Sequence, residues 1–360
     1  MSRIKILFLI SLTLIALFAI VSYWMYSTLS SPAEHEKAQQ FIQIEKGTAP
    51  SAIVDKLAAE GVIKYPLTTK VYLRLFGDAS KLKAGEYEFS SPITPLQVLA
   101  ELEKGEERVT KLVIPEGFTR FDIAKRIVEK FPQDPAVTEA EVLVLMEQTE
   151  KIRDLAPEAK NLEGYMYPST YSFPKETSPA VIINAMTSQF LKIWKPEWTA
   201  RAKAIGRTPH EIVTLASLIE TESGIESERP VVASVIYNRL NKSVPLGIDQ
   251  TVVYIAKMLN RWDGTINRSD LDVDSPYNTR RYGGIPPGPI SSVSESAIAA
   301  ALSPAQTDYL YYVRNVDLND GSHWFYSSAS EFERGKARYQ QWLEKERQEK
   351  RAAETSNENK

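Results

Sequence analysis

Two glutamates at the end of an apolar segment are the residues of this sequence best suited to acid catalysis. Glu220 and Glu222 follow residues 212–219, which are mostly apolar. On a helix, Glu220 lies one turn beyond Ala216 and above Val213, so its carboxyl lies along an apolar stripe. Apolar surroundings raise the pKa of a carboxyl, as a general acid working near neutral pH requires. The pattern therefore predicts a general acid at Glu220.

The second acid, Glu222, faces another direction. Two residues correspond to about 200° around a helix, so Glu220 and Glu222 do not act as a pair on one bond. An alternative interpretation is that both carboxylates are simply exposed to water at the end of the helix, although negative charge at a C-terminus opposes the helix dipole.

The remaining composition excludes several kinds of site. The chain has no cysteine, and its three histidines, His35, His210 and His323, are far apart in sequence. Because zinc sites without cysteine usually need two or three imidazoles, we expect no metal and no cofactor. A net charge of −3 argues against nucleic-acid binding. The chemistry must therefore rest on carboxylates, hydroxyls, amides and cationic side chains.

Two loop-like stretches carry groups that could hold a sugar. Residues 275–290 are rich in proline and glycine and include Tyr277 and Asn278, and residues 161–168 combine aromatic and acidic side chains. The alternatives are an ordinary surface loop for the first stretch and local packing for the second. His323 is followed directly by Trp324, so the sequence favours a histidine of the core over a catalytic one.

A well-marked helix carries the two glutamates. Thr208 is a suitable N-cap, Pro209 suits the first helical position, and Glu211 completes a capping box, so we expect a helix over residues 209–222. The surrounding region, 116–343, is predicted to be mainly helical, with helices at 119–131, 139–147, 179–194, 231–240, 297–302 and 330–343 and strands at 309–313 and 324–326. The charged tail, 344–360, is predicted to be a solvated helix end fraying into disorder.

A smaller module is predicted over residues 41–115. Ile42 and Ile44 alternate with polar residues, as in a half-buried strand. Apolar spacing and turn residues then predict helices at 50–61, 67–76 and 94–102 and strands at 85–89 and 110–114. The whole chain is therefore predicted to have an α+β fold.

The N-terminal segment is long and apolar enough to cross a membrane. Residues 6–25 carry no charge, and a helix of that length spans about 30 Å. Arg3 and Lys5 precede it, so we expect a cytoplasmic tail (1–5), a transmembrane helix (6–26), a linker (27–40) and the remainder outside the cytoplasmic membrane. Tyr23 and Trp24 suit the outer interface. The alternative is a cleaved signal peptide, for which residues 16–19 make a poor cleavage site.

Several blocks of the sequence resemble a known family. Residues 216–222, ASLIETE, are similar to the ASIVEKE-type signature of the YceG-like endolytic murein transglycosylases. Further similar blocks occur before and after this signature, in the same order as in the family, at residues 162–171, 232–240, 249–254, 277–279, 284–290, 309–313 and 323–325. The resemblance covers most of the chain between about residues 40 and 330.

The resemblance implies a lyase anchored in the bacterial inner membrane and acting on the glycan strands of peptidoglycan. It places the catalytic acid at Glu220 and makes residues 41–115 a LysM-like, peptidoglycan-binding module. It implies peptidoglycan synthases as further partners and no nucleic acid. The substrate-contact candidates in the matching blocks are Glu163, Tyr165, Glu222, Asn238, Arg239, Asp249, Thr251, Tyr277 and Asn278.

Some positions depart from the family pattern. Gly247 and Gln250 stand where the family usually has glutamine and proline, Ser169 where aspartate is common, and Phe332 where histidine often occurs. These departures concern secondary substrate contacts and leave the acid in place. Two other functions remain open: a hydrolase that pairs Glu220 with Asp249 or Glu163, and a non-catalytic scaffold that binds the cell wall.

Overall fold

The computed structural model describes residues 3–38, 40–45, 47–105 and 109–358 of the chain. The fold is mixed α+β and mostly helical, and it divides into two compact units, Met1–Val109 and Thr110–Lys360. Each unit has its own apolar core.

The first unit begins with a long apolar helix and continues as a small α/β module. Its elements are α1 (Arg3–Ser30), β1 (Ile42–Ile44), α2 (Pro50–Ala59), α3 (Pro66–Leu75), β2 (Gly85–Tyr87) and α4 (Pro95–Lys104). Strands β1 and β2 are antiparallel, with Ile42 opposite Tyr87. Thr94 and Gln97 form a capping box that begins α4. The predicted helices and the strands near residues 42 and 85 are thus present with boundaries shifted by a few residues, whereas the strand predicted at 110–114 belongs to the second unit, where it pairs with a later strand.

Helix α1 has the length and composition of a membrane span over Ile10–Ser30. Its side chains are exposed along most of its described length, whereas Thr28 and Leu29 near its C-terminal end are buried. The helix contacts α3 and α4. The apolar helix therefore ends against the module of its own unit.

The second unit is mainly helical. Its elements are β3 (Val109–Ile114, which begins at the boundary), α5 (Arg120–Lys130), α6 (Glu139–Leu145), β4 (Ser169–Pro174), α7 (Pro179–Ile193), α8 (Pro196–Ala204), α9 (Pro209–Glu222), α10 (Arg229–Asn241), α11 (Asp249–Met258), α12 (Arg268–Leu271), α13 (Glu295–Leu302), β5 (Tyr311–Arg314), β6 (His323–Tyr326) and α14 (Ala329–Glu358). Strand β3 pairs with β4, and β5 forms an antiparallel hairpin with β6.

Helix α9 lies at the centre of this unit. It is contacted by α8, α10, α11 and α13, and every residue from Ile212 to Glu220 is buried. Such a helix is apolar on all sides because each side faces another element. Its observed bounds and its capping box of Thr208 and Glu211 are those predicted from the sequence.

Three features of the second unit differ from the sequence-based expectations. The expected strand at 309–313 begins at Tyr311 and is only half-buried, because its hairpin with β6 forms a separate two-stranded sheet. The charged tail continues α14 to Glu358 instead of fraying, as its strong helix formers Glu, Lys, Arg, Gln and Ala allow. Helices α8, α11 and α12 and strand β4 were not predicted.

Candidate active site

The carboxyl of Glu220 is almost fully enclosed. Its side chain is 2% exposed, at the last turn of α9. One oxygen, Oε1, accepts a hydrogen bond from Nη2 of Arg229 at 2.5 Å, and Oε2 accepts one from the backbone N–H of Ser294 at 2.8 Å. Ser294 is the N-cap of α13, so the positive end of that helix also faces the carboxylate.

This environment corrects the expectation of a purely apolar stripe around Glu220. Burial raises the pKa of Glu220, whereas the hydrogen bonds from Ser294 and the charge of Arg229 act in the opposite direction. Arg229 begins α10, and the turn at residues 223–228 brings it back over the end of α9. The acid is therefore held by a cation and a helix N-terminus as well as by apolar neighbours.

Arg229 joins two carboxylates. It is buried, and its Nη2 also lies 3.3 Å from Oε2 of Glu116, whose side chain is 54% exposed. Its Nη1 donates to the hydroxyls of Ser294 and Ser296. Sequence reasoning missed both Arg229 and Glu116. No local signal pointed to them, because the burial of Arg229 follows from the packing of α9, α10 and α13.

Backbone hydrogen bonds hold Glu116 at this position. The N–H of Gly117 donates to the carbonyl of Ser292, and the N–H of Ser292 donates to the carbonyl of Phe118. The loop that precedes α5 therefore pairs with the segment that precedes α13. The two segments bring Glu116 and Ser294 to the same guanidinium.

Tyr167 lies beside the same group of acids. Burial raises the pKa of its phenol, and the negative charges of Glu295, Glu116 and Glu220 act in the same direction. The ring is partly exposed. It is therefore an aromatic surface next to the enclosed carboxyl.

Glu222 belongs to a different cluster, in keeping with its expected direction on α9. It accepts a hydrogen bond from the hydroxyl of Tyr312 on β5, and burial raises its pKa. Nearby, Nδ1 of His323 lies 2.9 Å from Oε2 of Glu228, so this histidine has a carboxylate partner. This second cluster ties the end of α9 to the β5–β6 hairpin.

The comparisons with known proteins agree with the family resemblance of the sequence blocks. A sequence model described as the YceG-like family matches residues 42–338.

The chain belongs to the YceG-like family.

It is 31% identical over 332 residues to a Bacillus subtilis protein named endolytic murein transglycosylase, covering 87% of this chain and 88% of that protein. Two Streptococcus pneumoniae proteins of the same name are 26% identical, and the matches cover 94% of this chain and 66% of each of them. A crystal structure of a YceG-like protein from Listeria monocytogenes superposes with a TM-score of 0.54 at 33% identity, over 82% of this chain and 98% of that one.

Other positions that the YceG-like pattern singled out are hydrogen-bonded to neighbouring loops. Nδ2 of Asn278 donates to the carbonyls of Leu271 and Val273, both at 2.9 Å. Nδ2 of Asn238 likewise donates to the carbonyls of Thr307 and Tyr309. Both amides are predicted substrate contacts, and in the structure their donors are bonded to loop carbonyls.

Arg239, Thr251 and Tyr165 are also engaged internally. Arg239 donates to the carbonyls of Leu310 and Leu246, and the hydroxyl of the fully buried Thr251 donates to the carbonyl of Ile248. The fully buried Tyr165 lies 2.7 Å from Nδ1 of His210. These predicted contact residues therefore have hydrogen-bond partners within the fold, as loops without regular hydrogen bonding require.

Glu163 is a second buried carboxyl in this YceG-like chain. Both of its oxygens accept hydrogen bonds from the backbone N–H of Arg120, the first residue of α5, at 3.1 and 2.9 Å. Burial raises its pKa to about 7, although the Arg120 bond and charge act in the opposite direction. Of the remaining predicted contacts, Asp249 pairs with Arg280 near the surface, and Tyr277 packs on Tyr254.

A metal centre has no candidate among the residues that the structure describes, where no group of three or more His, Asp or Glu side chains is placed to hold an ion.

Proposed function

We propose that this chain is an endolytic lytic transglycosylase that cleaves the MurNAc–GlcNAc bond of peptidoglycan strands, with Glu220 as general acid and base. The observation that carries the proposal is the enclosed carboxyl of Glu220 at the end of the central helix, bonded to Arg229 and to the N-terminus of α13. The names of the curated relatives support the substrate and the reaction.

One carboxyl is sufficient for this chemistry. Protonated Glu220 gives its proton to the glycosidic oxygen, the bond from that oxygen to C1 of MurNAc breaks, and GlcNAc leaves with a free hydroxyl. The C6 hydroxyl of the same MurNAc then bonds to C1 and returns a proton to Glu220, which forms 1,6-anhydro-MurNAc without consuming water. A hydrolase needs a second carboxylate. Glu222 does not fill that role, because its carboxyl is bonded to Tyr312.

The acid must be protonated before it can act. While Oε1 accepts from Arg229, the ionised form of Glu220 is favoured. Arg229 also reaches Glu116, so its charge can be taken up by that carboxylate when a sugar enters and Glu220 gains its proton. Burial and the charge of Glu116 both favour the protonated form. The partly exposed ring of Tyr167 is the surface on which we place the sugar.

We further propose that the small module binds glycan in the manner of LysM domains and that α1 anchors the chain. The order β1–α2–α3–β2 with antiparallel strands supports the first assignment. The length and composition of α1 support the second. An anchored enzyme that cuts within newly made strands would end their elongation and work beside peptidoglycan synthases.

Product analysis tests the proposed reaction. Purified glycan strands are incubated with the full-length protein, and the fragments are analysed by mass spectrometry. We expect internal cuts whose ends are anhydro-MurNAc, lighter by one water than reducing ends and resistant to borohydride. Reducing ends that carry label from heavy-oxygen water would show a two-carboxylate hydrolase. Bound but intact strands would show a scaffold.

A further inference from the structure

Helix α3 exposes large apolar side chains although another part of it packs on the core of the module. Leu73 is buried in that core, together with Thr68 and Thr69, whereas Leu67 is 73% exposed and Leu75 is 65% exposed. A surface helix normally turns its leucines towards the core. Two leucines of α3 are therefore turned away from the core of their own unit.

Three exposed apolar side chains of α3 lie on one side of the helix. Leu67, Val71 and Leu75 are spaced four residues apart, and Phe76, 66% exposed, follows at the C-terminal end of the helix. We refer to these four residues as the α3 apolar face. Contiguous exposed apolar surface marks a site of interaction with a protein or a membrane.

The position of α3 in its unit favours a membrane. Helix α1 is exposed through Tyr26 and then buries Thr28 and Leu29, and it contacts α3 and α4. From Trp24, which suits a membrane interface, to Thr28 the helix rises only about 6 Å. Helix α3 thus lies against α1 within about one helix diameter of the point where the apolar span ends.

The charges next to the α3 apolar face also suit a lipid surface. Arg74, on α3, and Lys64, just before it, are both exposed, so their cations are available to phosphate headgroups. Lys70 is paired with Asp55 of α2, so these two side chains together carry no net charge. Apolar side chains flanked by a few cations are typical of helices that lie in the headgroup region.

We propose that the α3 apolar face rests in the outer surface of the same bilayer that α1 crosses, as a second membrane contact of the module. The inference depends on the proposed anchoring by α1. Two contacts fix both the height and the tilt of the module, whereas a single span would let it rotate about the helix axis. The module is then held flat on the membrane.

The absence of cysteine allows a direct test on the full-length chain. Single variants Leu67→Cys, Leu75→Cys, Leu14→Cys and Val181→Cys are labelled with an environment-sensitive fluorophore and reconstituted in vesicles of phosphatidylethanolamine and phosphatidylglycerol. Lipids brominated near the headgroup or in the acyl chain serve as quenchers. Val181, an exposed valine on α7 of the other unit, is the matched control.

We expect headgroup-proximal bromolipid to quench the labels at Leu67 and Leu75 at least about threefold more strongly than the label at Val181. The reason is that side chains in the headgroup region lie close to these bromine atoms. Quenching equal to that at Val181, with Leu14 strongly quenched, would overturn the α3 contact while leaving the anchor intact. A Leu14 label that lipid does not quench would instead show that the anchoring proposal fails.

A second variant separates lipid contact from other occupants. Leu67→Ser with Leu75→Ser removes apolar surface that is already exposed, so thermal unfolding should be unchanged. A label at Val71→Cys should lose most of its lipid quenching in that background. If the label instead responds to protein density in the vesicle and not to bromolipid, the face binds a second copy of the chain and the lipid proposal is wrong.

Discussion

At the scale of single residues, the candidate site depends on how one guanidinium is shared. Arg229 donates to Glu220 at 2.5 Å and lies 3.3 Å from Glu116, and the two acids differ greatly in exposure. A buried carboxylate that keeps a cationic partner stays ionised, whereas one whose partner is drawn away takes up a proton. Activity should therefore respond to both acids and in different ways.

Replacing the proposed acid should abolish cleavage without abolishing the fold. Glu220→Gln keeps the shape of the side chain and one acceptor oxygen but removes the transferable proton, so turnover should fall by at least about 10²-fold. Glu222→Gln is the matched control and should cost clearly less, because Glu222 is bonded to Tyr312. The release of anhydro-ended fragments measures both variants. Circular dichroism verifies that they fold, and equal losses would contradict the assignment.

Removing the second acid should change the pH dependence. Without the carboxylate of Glu116, Glu220 is the only acid paired with Arg229 among the described residues. The pKa of Glu220 then falls, because the negative charge of Glu116 no longer raises it. A general acid loses activity as pH rises through its pKa, so the alkaline limb of the pH–activity profile should move to lower pH in Glu116→Gln. Glu129→Gln, an exposed acid on α5, is the control. An unmoved limb would show that Glu116 does not influence the acid.

At the scale of elements, polar side chains hold together segments that have few backbone partners. Asn278 and Asn238 each donate to two carbonyls of neighbouring loops. Glu163 holds the N-terminus of α5 against the loop at residues 161–164. The loops around α9 are therefore fixed by side chains as much as by regular structure.

Loss of one such amide should affect stability more than substrate affinity. Asn278→Ala removes the two hydrogen bonds to the carbonyls of Leu271 and Val273, which together contribute about 1–3 kcal/mol. Denaturant unfolding should show a loss of this size, with KM for glycan strands close to that of the original chain. A raised KM at unchanged stability would restore Asn278 as a substrate contact.

The carboxyl of Glu163 should make stability depend on pH. Its pKa is raised from 4.5 to about 7 in the folded chain, so between these values the folded state binds more protons than the unfolded state. Stability should therefore fall as pH rises from about 4.5 to 7, by at most about 3 kcal/mol. Glu163→Gln should flatten this slope in unfolding experiments. An equally steep slope in that variant would assign the effect to other groups.

At the scale of the whole molecule, the N-terminal helix has the properties of a membrane anchor or of a signal sequence. Ile10–Ser30 is long and apolar enough to cross a membrane, and its C-terminal end is buried against the module. A signal sequence would pass the same test of length and composition. The packing of Thr28 and Leu29 is what we expect of a segment that stays attached.

A topology experiment distinguishes these two fates. With Arg3 and Lys5 retained in the cytoplasm, a reporter that fluoresces only there should stay dark when it is fused to the C-terminus. The same reporter fused before residue 3 should be bright and serves as the control. N-terminal sequencing of mature protein that begins between about residues 20 and 30 would show a cleaved signal and contradict the anchor.

The sequence alone determined the features that depend on neighbours along the chain. The capping box of Thr208 and Glu211, the bounds of α9 and the place of Glu220 at its end all follow from contacts three or four residues apart. The apolar character of α1 and the strand at Ile42–Ile44 are local in the same sense.

Only the tertiary structure decided what surrounds the acid. Ser294 is 74 residues from Glu220 in sequence, and Glu116 is 113 residues from Arg229. No local pattern encodes such pairings, because they result from the packing of α9, α10 and α13 and from two loops that pair by their backbones. For the same reason the sequence did not indicate that the donors of Asn278 and Asn238 are bonded to loop carbonyls.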